Sequence, residues 1–156
     1  GVAVGAGLGL AMACDMKIMT KSARLIAGYP RIGGSPDGGL SWTLFQSMGY
    51  EQALRFLLEN RTVMADEAKA LGMVGEVVED ADFEARFNEF CDSLTKLSPI
   101  TARLSKRVLR RAAQLPDMEG HMRYELLSIG RAFGSEDGRE ARRAFLEGRA
   151  PEFKGK

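Results

Sequence analysis

The sequence predicts an α/β fold: a glycine-rich layer of short strands and helices over residues 1–80, then a helical region over residues 81–156. Two observations carry this. Twelve of the 18 glycines but only 16 of the 43 charged residues lie in the first 80 positions, so turns and close packing dominate there and solvated helix faces dominate afterwards. Apolar residues also come in short runs before that boundary and at three- and four-residue spacing beyond it.

The elements follow in order. Gly5-Ala6-Gly7 reads as a turn that feeds the small-residue helix LGLAMAC. MKIMT (16–20) and RLIAGY (24–29) read as strands joined at Lys21-Ser22. Residues 30–38 form a loop. From 39 onward LSWTLFQSMG has helical spacing and stops at Gly49, and EQALRFLLEN (51–60) forms another helix. ADEAKALG (65–72) is a short helix capped by Gly72, and MVGEVVE (73–79) is a strand. Residues 81–97 place Phe83, Phe87, Phe90, Leu94 and Leu97 on one helix face. Ser98-Pro99 opens the next helix, since proline suits the first helical position. Two more helices are expected over 117–133 and 137–148.

Composition excludes several function classes. A net charge of +1 gives no global attraction to nucleic acid or an anionic membrane. Cys14 and Cys91 are far apart and outside any C-x-x-C pair, and His121 is the one histidine, so neither a disulfide framework nor a metal centre is expected. A reducing, cytoplasmic setting follows. The apolar run 1–14 is shorter than the ~20 residues of a membrane span. The chain also begins at Gly1 inside a patterned segment, which points to an N-terminal segment of the same protein upstream.

The loop RIGGSPDGG (31–39) holds four glycines, a proline and Asp37, which with Asp15 makes up the acids of the first 50 residues. A carboxylate there is a candidate for chemistry, although aspartate before glycine is also an ordinary turn residue. Asp15 reads as the end of the first helix. Trp42 and Cys14 read as core, and His121 as packing. Arg103, Lys106, Arg107, Arg110 and Arg111 read as a solvated helix face.

Three pieces occur in a fixed order: G-x-A-x-G-x-G-x-x-L-A-x-A-C-D at Gly1–Asp15, G-x-S-P-D-G-G-x-S-x at Gly33–Trp42, and NRTVMADEAKALGMVGEVV at 60–78. Together with AFLEGRAPEFKGK at the C-terminus, they resemble the C-terminal part of the crotonase superfamily of enoyl-CoA hydratases and isomerases. The resemblance implies part of a ββα spiral core over 1–80. It also implies a helical C-terminal region over 81–156 that covers coenzyme A and assembles trimers or dimers of trimers. Substrates would be acyl-CoA thioesters, with coenzyme A as part of the substrate and no separate cofactor or metal.

The shared chemistry is stabilisation of a thioester enolate by two backbone N–H groups. The resemblance assigns one of them to Ala6, flanked by Gly5 and Gly7, and the other to an upstream loop. The two glutamates of the hydratases fall at Gly9 and Tyr29, so both are missing. Asp37 stands at a third position, used by some Δ3,Δ2-enoyl-CoA isomerases as a single acid/base. The family's 4-chlorobenzoyl-CoA dehalogenases use an aspartate there as nucleophile, with an aromatic residue eight positions earlier, here Tyr29. The resemblance also places Tyr29, Pro36 and Gly38 along the acyl site, and Phe145 and Arg149 near coenzyme A, with Gly148 where a lysine is common. Isomerisation by Asp37 is the reading favoured. Hydrolysis, dehalogenation or an atypical hydration is the alternative, and an inactive acyl-CoA-binding member is the non-enzymatic one.

Overall fold

The computed structural model describes residues 1–32, 34–113 and 118–156, with the side chains at 118, 119, 121 and 125 left aside. Gly33, the surroundings of His121 and the predicted helix start at 117 therefore lie outside the described residues. The chain forms two compact units, Gly1–Asn88 and Glu89–Lys156.

The first unit is built from β1 (Val2–Val4), α1 (Ala6–Ala13), β2 (Ile18–Thr20), β3 (Arg24–Ile26), α2 (Leu40–Glu59), β4 (Thr62–Met64), α3 (Ala65–Ala70) and β5 (Glu76–Val78). β1 runs parallel to β3, and β3 runs antiparallel to β4. β2 runs parallel to β5 in a separate pair. Parallel neighbours that are not consecutive in sequence require crossovers: α1 lies on the path from β1 to β3, and α2 and α3 lie on the path from β2 to β5. This is the α/β layer expected from the glycine-rich half.

Leu8 and Met12, one helical turn apart on α1, point inward against Leu40 and Leu44 of α2, and Phe56, Val63, Ala68 and Met73 complete a closed core. Trp42, expected in that core, is 54% exposed, because the inward face of α2 is set by Leu40 and Leu44 and residue 42 falls nearly opposite. Cys14 is also exposed rather than buried, since it lies just past the end of α1.

Two local expectations change and a third holds. β1 was not foreseen as a strand. The predicted strand 24–29 ends at Ile26, because Gly28 turns to φ +83° and Tyr29–Ile32 wind into a 3₁₀ turn. The two helices expected on either side of Gly49 are both present: α2 is two helical stretches joined at Gly49, whose φ of 77° and ψ of 173° are not helical.

α4 (Phe83–Thr95) crosses the division between the units and stacks Phe83 on Phe87. The second unit continues with α5 (Pro99–Ala112), α6 (Met118–Gly134) and α7 (Glu136–Glu147). Ser98 caps α5, its hydroxyl accepting from the Thr101 N–H at 3.4 Å, with Pro99 at the first helical position as predicted.

The C-terminal tail is clamped to α7 by two carboxylates. Asp137 is 2% exposed and accepts from the N–H of Lys154 at 2.7 Å, the N–H of Gly155 at 3.0 Å and the Ser98 hydroxyl at 3.2 Å. Burial pushes its carboxyl up, but those donors outweigh burial and hold it below the ordinary range. Glu140 is drawn from 4.5 down to about 2 by Arg149, then by the Glu152 N–H and Arg143. Both groups bind protons more weakly in the folded chain than in the unfolded one. The stability they supply is therefore complete above pH 4.5 and is lost as the pH falls toward about 2. Denaturant midpoints of the helical signal should drop across that window, and Glu140→Gln should flatten the drop by lowering the plateau above it.

Candidate active site

The site residues of the first unit gather around the start of α1. Gly5 (φ 53°, ψ −123°) precedes the helix, and its N–H bonds to the carbonyls of Ala27 at 3.2 Å and Ile26 at 3.4 Å. No side chain caps α1, and no acid lies in its first turn. The first N–H groups of a helix have no partner within it, so the N–H groups of Ala6 and Gly7 are left for an external acceptor. Both residues are exposed.

Asp37 reaches this corner through a tight turn. Its carbonyl accepts from the Leu40 N–H at 3.0 Å across Gly38 and Gly39, whose φ values of 57° and 81° suit glycine and disfavour other residues. The turn lies over α1: a Cβ placed on Gly9 would sit 3.9 Å from the carbonyl oxygens of Asp37 and Gly38 and from Leu40 Cβ. A methyl group at position 9 would make ordinary contact with that turn.

Tyr29 is 6% exposed and donates its hydroxyl to Asp37 Oδ1 at 2.8 Å, while the Asp37 N–H points back at the same hydroxyl at 3.4 Å. Burial, and then the bond to Asp37, raises the Tyr29 phenol above its ordinary value, so the hydroxyl stays a donor at neutral pH. One carboxylate oxygen is occupied by Tyr29. Asp37 itself is exposed, and Pro36 beside it is half-buried.

Sequence reasoning missed Gly28 and Asn60. Asn60 ends α2 in the left-handed region and its Oδ1 accepts from the Gly28 N–H at 2.6 Å. Asparagine after a helix signals a cap, but nothing local signals a bond to a residue 32 positions earlier.

In the second unit, Phe145 is 84% exposed on α7 and borders a shallow apolar hollow with Ala141, Arg142 and Leu146. Arg149 follows α7, its guanidinium held by Glu140 at 2.6 Å and Glu147 at 2.6 Å. Gly148, in the left-handed region, ends the helix. Among the described residues no three His, Cys, Asp or Glu side chains group as metal ligands, and no helix is long and apolar enough to cross a membrane.

The family model described as enoyl-CoA hydratase/isomerase matches residues 1–156. The chain belongs to that family, within the crotonase superfamily. It is 31% identical over 151 residues to a short-chain-enoyl-CoA hydratase of Clostridium acetobutylicum, covering 96% of this chain and 57% of the relative. It is 40% identical over 94 residues to a 4-chlorobenzoyl coenzyme A dehalogenase of an Arthrobacter species, covering 60% of this chain and 34% of the relative. An enoyl-CoA hydratase from Bacillus anthracis superposes with a TM-score of 0.94 at 29% identity, over all of this chain and 60% of that one. The family member described here therefore spans about three fifths of the length of the relatives it matches end to end.

Proposed function

We propose that this chain belongs to an acyl-CoA enzyme that moves a carbon–carbon double bond from the 3 to the 2 position of an enoyl thioester, with Asp37 as its single acid/base. The observation that carries this reading is the Asp37 turn lying over Gly9 with Tyr29 bonded to Oδ1. Positions 9 and 29, where hydratases carry their glutamates, provide no carboxylate, so the site is built around one acid.

One acid suffices for this reaction. The free carboxylate oxygen removes a proton from C2, and charge moves onto the thioester carbonyl oxygen. The Ala6 N–H stabilises that oxyanion at the uncapped helix start, with a second donor supplied from outside residues 1–156. The same carboxyl then returns the proton to C4, and atoms and charge balance with no water consumed. Gly5 and Gly7 shape the turn around the oxyanion, and Tyr29, Pro36 and Gly38 border the acyl chain. Phe145 and Arg149 stand toward the coenzyme A portion in an assembly of trimers or dimers of trimers.

The test is conversion of a 3-enoyl-CoA by the intact protein, followed as appearance of the conjugated 2-enoyl-CoA. Accumulation of that product without net hydration is the expected result. A 3-hydroxyacyl-CoA as the main product would refute the single-acid reading.

A second reading has its own support. The paired Tyr29 and Asp37, together with the 94-residue match to a dehalogenase, suit an Asp37 that attacks a haloaryl-CoA ring, expels halide and is freed by hydrolysis of the aryl ester. Halide release from 4-chlorobenzoyl-CoA without isomerisation would select it. Binding of acyl-CoA with no turnover of either substrate would mark an inactive member.

A further inference from the structure

We infer that Asn60 is a positioning residue that sets the spacing between the oxyanion-stabilising helix start and the Tyr29–Asp37 pair. The inference rests on the reading of the site given under Proposed function.

Asn60 adopts φ 51° and ψ 31°, and among the described residues it is the one non-glycine with positive φ. Ending a helix in this way uses only backbone, and glycine does it with less strain. The side chain must therefore be explained separately. Its Oδ1 takes the Gly28 N–H at 2.6 Å, at the point where β3 has ended and the ladder offers that N–H no partner.

Gly28 is the joint between the two halves of the site. Its backbone lies so close to the first half that an added Cβ would fall 2.8 Å from Val4 Cγ2 and 3.5 Å from the Gly5 nitrogen. Gly5 immediately precedes Ala6, and its own N–H is bound to the Ala27 carbonyl at 3.2 Å. On the other side, the Gly28 carbonyl accepts from the Arg31 N–H at 3.3 Å and so opens the 3₁₀ turn that begins at Tyr29. Tyr29 in turn holds Asp37. One carboxamide thus fixes the residue that touches the anion-binding turn and also starts the arm bearing the carboxylate. Asn60 acts on the chemistry through these contacts and not through substrate.

The test separates the cap from the tether. Asn60→Gly keeps the left-handed helix end and removes the acceptor, whereas Asn60→Asp keeps an acceptor oxygen in the same place. In the intact protein acting on a 3-enoyl-CoA, Asn60→Gly should lower kcat roughly tenfold or more through misplacement of the reacting groups. Its KM and thermal midpoint should stay near those of wild type, and Asn60→Asp should restore kcat. A second readout is independent of the reaction. The ultraviolet titration of Tyr29, isolated by difference from Tyr29→Phe, should move down in Asn60→Gly as its burial and its bond to Asp37 loosen. Wild-type kcat together with unchanged Tyr29 titration in Asn60→Gly would overturn the inference, as would equal losses in Asn60→Gly and Asn60→Asp. If wild type does not isomerise, the reading under Proposed function fails and the Tyr29 titration alone decides the role of Asn60.

Discussion

Asp37→Asn is expected to reduce isomerisation of a 3-enoyl-CoA by ~10³-fold, with binding of a saturated acyl-CoA nearly unchanged. The magnitude is that of losing a positioned general acid/base with no second group to take over. The substitution is chosen to spare the structure. Asparagine keeps an oxygen that can accept the Tyr29 hydroxyl, and the turn through Gly38 and Gly39 is held by the Asp37 carbonyl and Leu40 N–H, which the change does not touch. Tyr29→Phe makes the opposite cut: the carboxylate stays and its partner is removed, so the loss should be about tenfold, in kcat. The two rates, taken with isothermal binding of the saturated thioester, separate a proton carrier from a residue that shapes the loop. If Asp37→Asn keeps most of the wild-type rate, the proton travels on another group and the turn-residue explanation of Asp37 prevails.

What the sequence made legible was local. The Asp37 turn could be read because paired glycines after an aspartate have few other uses, and both do adopt positive φ. The start of α5 could be read from Ser98-Pro99 because a cap and a first-turn proline are written in adjacent residues. The stop at Gly49 was local too, and there the backbone does leave the helix. The order of the three motifs was enough to identify the family. What escaped was nonlocal or too short to carry a period. β1 has three residues, and its pairing with β3 depends on a partner 22 positions away. The Asn60 to Gly28 bond joins two turns that no periodicity relates. Asp137 offered the same difficulty: an acid in the first turn of a helix is ordinary, and nothing near it in sequence shows that the chain's last residues return to bind it.

Gly138→Ala is expected to cost the helical unit ~2–3 kcal/mol, the range for forcing atoms into a site that is already full. Gly138 lies in the first turn of α7, where its N–H bonds to the Ser135 hydroxyl at 2.9 Å, and that hydroxyl donates to the Ala132 carbonyl at 2.6 Å. A methyl group on Gly138 would fall 2.1 Å from the same carbonyl oxygen and 3.0 Å from Phe133 Cα. Both obstacles are backbone of α6, so no side-chain rotation relieves them, and the corner between α6 and α7 must open. Opening it displaces Asp137, the neighbouring residue, from the N–H groups of Lys154 and Gly155. The acid sensitivity of the unit should then shrink along with its stability, because Asp137 no longer prefers the folded state when ionised. Gly130→Ala is the matched control. That glycine sits inside α6 with nothing within 4 Å of an added Cβ, so alanine should stabilise the helix by ~0.5–1 kcal/mol. Denaturant midpoints of the far-ultraviolet helical signal, measured at neutral pH and again near pH 3, read both effects. Opposite signs for the two glycine substitutions at neutral pH, with the pH dependence reduced only in Gly138→Ala, would tie the α6–α7 corner to the binding of the C-terminal tail. A neutral Gly138→Ala would mean that the corner is wider than the close approach of its backbone indicates.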